Sequence, residues 1–377
     1  MSQIDPPNPD PRQQRRSRIL KAVRLSVALA ALAIILGSIQ YRDLLVRDGR
    51  EFQIVAQTDL AWRVRSPEGQ TLTIEKPAAD YDLRPGAVNL LQNLRIGPAV
   101  YALLIFGPIP PLLAWRWRVL LRVVGVAADY LLVFKLTYAG TLMNFFLIGT
   151  TGGDVVKAYW ISRIKKHPAE VFVSAFVDRF VGLATIILLA GFLILILHSE
   201  PLMARWSYQV GLLLVLLSAA VLVLFSSRLR RLIRFDRWSS RLPFSSVIAR
   251  IDRSLLDYRR QPRAVLAALA LTLVLQLVAA TSAWLLGVAL RIDAPVWYYW
   301  TYVPLAFLIG SIPVSAFWGV GLLEGAYYTF FAAAGLATGT QAAMLAMGVR
   351  LVQLLWALPG GYVLAAGIPQ ETPDEPA

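Results

Sequence analysis

The chain contains no cysteine, so neither disulfide cross-links nor thiol chemistry contribute to its stability or function. Its two histidines, His167 and His198, stand in no HExxH or comparable ligand spacing, which argues against a zinc site and against a histidine general base. A GxxxxGK[ST] phosphate loop is missing too, so ATP hydrolysis is not expected, and no metal or cofactor is implied. Charge is also scarce. Only 16% of residues are charged against 57% hydrophobic, with a mean hydropathy of +0.58, a balance that does not suit a soluble domain.

What is present is a series of long apolar runs, at residues 22–39, 97–114, 129–149, 172–197, 208–226, 264–290, 297–317 and 341–366. Most are near the ~20 residues needed to cross a hydrocarbon core of ~30 Å. They are continuous and rich in Leu and Ala, without the period-two alternation of a membrane β-barrel. The expected fold is an all-α polytopic membrane protein with about 7–9 transmembrane or re-entrant helices. The first run follows a basic tail, residues 1–21, that resembles the start of a signal peptide. The apolar part exceeds the roughly 7–15 residues of such a peptide and lacks a small-x-small site before Gln40, so an uncleaved anchor is expected.

The net charge of +14 does not point to nucleic acid, because of where it lies. Basic residues gather at the ends of apolar runs: in the N-terminal tail, at Arg116, Arg118 and Arg122, from Lys157 to Lys166, and through 228–263. This is the pattern of cytoplasmic loops, which also attract anionic lipid headgroups. In the 228–263 loop, Leu255 and Leu256, or Ile248 and Ile251, are expected to face inward from an amphipathic segment. Trp115, Trp117, Trp297 and Trp300 read as members of interfacial belts.

Charge placement makes the N-terminus cytoplasmic, but a full crossing by 129–149 would put Lys157, Arg163, Lys165 and Lys166 outside. A segment that enters and returns keeps them inside. Its reversal falls at Gly149, Gly152 and Gly153, with Asp154 or a preceding Thr expected to cap a helix starting near Val155. A second broken run comes late. Pro313, Gly319 and Gly321 interrupt it before Glu324, and Ala326–Tyr327 follows Glu324 much as Ala158–Tyr159 follows Asp154. Such a pair of interrupted segments is the pattern of an inverted repeat with a midplane site.

Carboxylates and cations at membrane depth are the candidate substrate-binding groups, since each costs roughly 2.5–3.5 kcal/mol there on insertion scales. Asp154 has two readings, a helix cap or a binding group, and Lys157 three residues on lies within reach of it. Asp178 and Arg179 point about 100° apart on one helix, so each needs a partner from elsewhere, with Asp154 or Glu324 available to Arg179. Arg350 is placed to pair with Glu324 or to hold a lipid phosphate.

The insertion at 40–96, expected outside the membrane, alternates in Trp62–Arg65 and Thr71–Ile74 around Ser66–Gln70, which predicts a small β-hairpin or sheet. It is read as a cap or a surface for a protein partner. The helical membrane domain is expected over 97–367 and a disordered tail over 368–377.

Three segments carry a family resemblance: Asn144 through Gly153-Asp154 to Arg163, VDRFVGL at 177–183, and Pro313 through Gly319 and Gly321 to Glu324. Arg116-Trp117-Arg118 fits as well. Together they resemble the flippase-like family that includes the transmembrane region of lysylphosphatidylglycerol synthases, over roughly residues 97–366. The resemblance implies a multi-pass protein of a prokaryotic cytoplasmic membrane that handles lipid, and in its best-known members moves an aminoacylated phospholipid across the bilayer. The candidate substrate site, read from the residues themselves, is drawn from Asn144, Asp154, Lys157, Asp178, Arg179, Glu324 and Arg350. The chain ends soon after its last apolar run, so the soluble aminoacyl-transferase domain of full-length synthases is not expected. A non-transporting scaffold for an enzyme of lipid or envelope synthesis is the alternative reading; the oligomeric state is not set by the sequence.

The cysteine-free background makes the topology directly testable. Lys165→Cys and Gln70→Cys, made singly, should react with an impermeant maleimide from opposite faces of the membrane; reaction of both from one face overturns this topology.

Overall fold

The computed structural model describes residues 40–47, 50–58, 60–66, 68–76, 80–146, 152–225, 254–311 and 322–367. The expectations for the N-terminal tail and first span, for most of 228–263 and for the 368–377 tail lie outside these residues. So do Gly149, Pro313, Gly319 and Gly321.

The chain begins its described course with a sheet: β1 (Leu44–Arg47), β2 (Arg50–Gln57), β3 (Ala61–Arg65), β4 (Thr71–Glu75) and β5 (Asp82–Arg84). The strands are antiparallel in the order β4-β3-β2-β1-β5. The expected hairpin is there as β3 and β4, closed by a bond from the Ser66 N–H to the Gln70 carbonyl, with Gly69 at φ +86°. It belongs to the five-stranded sheet, the other form expected, and the alternation of β2 is broken by a bulge at Ile54–Ala56, which hides the period of that strand from a sequence reading. Leu45, Ile54 and Val64 form the sheet's small core, with Phe52, Trp62, Ile74 and Tyr81 against it.

Asp43 fastens this sheet to the helices. One carboxylate oxygen accepts the Gly86 N–H at 2.7 Å and the other the Asn89 side-chain amide at 2.6 Å, at the start of α1 (Ala87–Gln92). The backbone of Gly86 lies so close to Arg42 that a Cβ there would sit 2.4 Å from its carbonyl carbon.

The helices follow in order: α2 (Ile96–Phe106), α3 (Ile109–Val123), α4 (Tyr130–Phe146), α5 (Gly152–Lys165), α6 (Pro168–Ile196), α7 (Pro201–Ala204) and α8 (Ser207–Phe225). Then come α9 (Pro262–Ala289), α10 (Val296–Gly310), α11 (Leu322–Tyr327) running into a π-helical turn at Tyr328–Ala332, α12 (Gly339–Ala357) and α13 (Pro359–Ala365). Among the described residues four stretches are long and apolar enough to cross a membrane: Ile96–Val123, Pro168–Ile196, Pro262–Ala289 and Gly339–Ala365. Each has 27 to 29 residues, about 40 Å of helix at ~1.5 Å per residue.

The first of these spans is longer than the expected 97–114 and is jointed at Gly107-Pro108. There the Gly107 N–H turns to the Leu104 carbonyl, leaving the Leu103 carbonyl without its usual helical donor. The Trp356 indole N–H donates to it at 2.7 Å, and the ring lies where a Cβ on Gly107 would stand. The backbone group freed by the joint is thus satisfied by a side chain, as a lipid surround requires.

Two clusters make the interior. One gathers the first halves of α6 and α9 with α3, α4, α5 and residues 254–260; the other gathers their second halves with α2, α10, α11 and α12. Leu255 faces inward as expected, and Tyr258 donates to the Leu120 carbonyl at 2.9 Å. Trp115 and Trp297 are partly exposed, but Trp117 is fully buried and donates to Ser174 Oγ, so it is a core residue and not a belt residue.

The start of α12 is fixed by a reciprocal cap. Thr338 Oγ1 accepts the Gln341 N–H while Gln341 Oε1 accepts the Thr338 N–H, and the same amide group donates to the Leu290 and Arg291 carbonyls after α9. Gln341→Ala should lower stability by roughly 1–3 kcal/mol, the cap plus a buried bond, in detergent unfolding. Gln341→Glu keeps the cap but sets a buried carboxylate oxygen against the Leu290 and Arg291 carbonyls, and should cost at least as much.

Candidate functional site

The short helices α4 and α5 pack face to face because neither has a side chain at the crossing. A Cβ on Gly153 would stand 1.8 Å from the Gly140 carbonyl oxygen, and one on Gly140 would stand 2.8 Å from that of Gly153. The contact brings Asn144 Oδ1 to the Gly153 N–H at 2.7 Å. Asn144 of α4 therefore serves the open first turn of α5. This corrects the capping role expected of Asp154: the helix starts at Gly152, before the expected Val155, which puts Asp154 inside the first turn.

Placed there, Asp154 is shared by two cations. Oδ1 meets Lys157 Nζ at 2.8 Å, and Oδ2 meets the guanidinium of Arg179 on α6. Lys157 is buried, with its ammonium 4.5 Å from the centre of the Trp117 ring, a cation–π contact in a dry setting. The two readings of the Asp154–Lys157 contact merge, since Arg179 extends the local pair across helices.

Asp178, one position before Arg179, turns the other way. Both its oxygens are held by Arg116 of α3, at 2.8 Å from Nε and 2.8 Å from Nη2, while Nη1 donates to Thr272 of α9 at 3.0 Å. Arg116 is 6% exposed, so its expected place in a cytoplasmic charge cluster is corrected. Sequence reasoning missed it because Arg116-Trp117-Arg118 has the composition of an interface; the signal for it was the partner that Asp178 required.

On the far side of the bundle Glu324 of α11 meets Arg350 of α12 at 2.8 Å, as anticipated.

These groups converge on a cavity of about 590 Å³. Asn144, Asp154, Lys157, Asp178, Arg179 and Arg350 line it; Glu324 does not, and joins through Arg350. Arg116 lines it as well, and Thr141, Thr272, Gln276 and Gln353 add polar surface that the sequence did not single out, since single amides and hydroxyls in apolar helices carry no pattern. The remaining wall is largely apolar, including Phe106, Leu113, Leu183, Ile186, Phe307 and Trp356. The cavity opens where the two interior clusters meet: its wall on α6 includes Asp178 to Ile186 and its wall on α9 Thr272 to Ala279. Among the described residues no group of His, Asp or Glu is placed to hold a metal ion.

Fold and site together define a multi-pass helical membrane protein enclosing a charged cavity. The family model for the lysylphosphatidylglycerol synthase TM region matches residues 87–360, and the chain belongs to this family. No curated protein and no solved structure matches it.

Removing one partner of a buried pair leaves the other charge without compensation, at a cost of roughly 3–5 kcal/mol. Asp178→Asn should destabilise the protein by about that amount in a detergent unfolding assay. Combining it with Arg116→Met should recover most of the loss, the sign of a direct coupling between the two positions.

Proposed function

We propose that this chain is a lipid transporter of the flippase-like type, carrying a polar headgroup across the membrane while the acyl chains stay in lipid. The observation that carries the reading is the cavity itself: apolar walls interrupted by Asp154, Lys157, Arg179 and Arg350, groups that suit a headgroup, with apolar surface beside them for a chain. Membership of the lysylphosphatidylglycerol synthase TM family supports it.

The route follows from the close pairing of α4 with α5, whose packing at Gly140 and Gly153 suits a re-entrant pair. α10 and α11 form the counterpart. In both, a carboxylate in the first turn of the second helix meets an arginine of a following helix, Asp154 with Arg179 and Glu324 with Arg350, and each arginine follows its carboxylate by about 25 residues. This recurrence supports an inverted repeat with its site at the junction. The proposed setting is a prokaryotic cytoplasmic membrane, with the N-terminus and the Lys157–Lys166 cluster on the cytoplasmic face.

Protein reconstituted in liposomes should speed the transbilayer movement of fluorescent lipids, read by dithionite quenching. Glu324→Gln and Arg350→Gln should each slow it roughly tenfold, equivalent to about 1.4 kcal/mol on the barrier. No acceleration over empty liposomes across several headgroups overturns the proposal.

A further inference from the structure

We infer that Gln276 and Gln353 are specificity residues of the cavity, reading the uncharged oxygens, hydroxyl or ester, that a headgroup carries beyond its phosphate. This rests on the reading of the cavity as a lipid site and names the part of the lipid that these two side chains recognise.

Among the described residues, the hydroxyl and carboxamide side chains lining the cavity are Thr141, Asn144, Thr272, Gln276, Ser311 and Gln353. Four of them already have a task in the fold. Thr141, Thr272 and Ser311 each donate to a carbonyl one turn back, at 2.8, 2.6 and 2.8 Å; Thr272 also accepts from Arg116, and Asn144 accepts the Gly153 N–H. Gln276 and Gln353 make no hydrogen bond to any described residue. A carboxamide in an apolar helix is ordinarily a cross-link to a neighbouring helix, and that explanation fails for both.

Their placement is regular. α12 runs back along α9: Gln341 donates to the Leu290 and Arg291 carbonyls, and a Cβ on Gly348 would stand 3.5 Å from Leu286. Gln353 and Gln276 come further along this antiparallel pair, Gln276 one turn past Thr272 and Gln353 one turn past Arg350, all four facing the cavity. Each carboxamide therefore stands a turn beyond a charged grouping, Arg116 with Asp178 in one case and Arg350 with Glu324 in the other. A carboxamide both donates and accepts, as a hydroxyl does. A ligand that displaces water from such a group loses affinity unless its own atoms restore the bonds. A hydroxyl restores donor and acceptor together, an ester carbonyl takes the amide N–H, and an alkyl or trimethylammonium group restores neither. The charged groups place the phosphate; these two amides set what may stand next to it.

The test uses the full chain purified in detergent and equilibrium binding of two short-chain lipids of equal charge and similar size, phosphatidylglycerol and phosphatidylpropanol, which differ in the headgroup hydroxyls. Phosphatidylglycerol should bind about tenfold tighter, since a site built to hydrogen-bond a hydroxyl rejects the analogue without it. Gln276→Leu and Gln353→Leu keep the bulk of the side chain and remove its polar atoms. Each should cut the preference about threefold, and the double variant should bring the two lipids within about twofold of one another, through weaker binding of phosphatidylglycerol. Glycerol phosphate, the headgroup without its chains, should compete only at much higher concentration. Equal binding of the two lipids by the unaltered chain overturns the inference. So does a full preference in both folded single variants, which would assign hydroxyl recognition to other groups. Glycerol phosphate bound as tightly as the lipid would overturn the lipid reading of the cavity. A hydroxyl preference retained by protein that moves no lipid would overturn the transport reading alone; lipid movement together with equal binding of the two lipids would overturn the glutamine assignment alone.

Discussion

Ionised groups taken out of water must be compensated where they stand, and this constraint organises the membrane part of the chain. Three of the ion pairs at the cavity tie one helix to another: Arg116 and Asp178 join α3 to α6, with Thr272 adding α9; Asp154 and Arg179 join α5 to α6; Glu324 and Arg350 join α11 to α12. The pairs are weak evidence for stability as such, because an apolar replacement of the same shape would serve as well. Their effect is to fix which helix faces which. The adjacent residues Asp178 and Arg179 show this most clearly, since two directions about 100° apart on one turn tie α6 to two different neighbours.

Much of this could be read from the sequence, for a physical reason. Apolar length reports membrane crossing directly, and charge inside an apolar run is rare enough to stand out. Six of the seven candidate binding residues line one cavity, and the seventh, Glu324, touches a residue that does. What failed were judgements that depend on orientation. Trp117 and Arg116 sit in a stretch whose composition is that of an interface, yet both are buried, because the span extends to Val123 and turns these two positions inward. Asp154 looked like a cap because Gly-Gly-Asp is a capping context. In the structure Asp154 lies inside the first turn, and Asn144 from another helix serves that turn by accepting the Gly153 N–H, a contact that local sequence cannot report.

Glycine sets the distances within which those charges work. The Gly140–Gly153 crossing permits α4 and α5 to touch backbone to backbone, which delivers both Asn144 and Asp154 to the same end of the cavity. Gly287 has a related part in α9, where a Cβ would strike the Tyr299 hydroxyl and push α10 away. Small residues at helix contacts are the means by which helices approach closely in lipid, where apolar surface alone gives no drive to associate.

The sheet outside the helical bundle is joined to it at two ends of one short path. Asp43 grips the start of α1, and the Gln40 N–H reaches Thr340 Oγ1 in the first turn of α12, against which α1 also packs. Further along α12 stands Arg350, facing the cavity. Whatever leans on the sheet therefore leans on the same helix that carries a charged wall of the chamber, and the sheet is mechanically a handle on that wall.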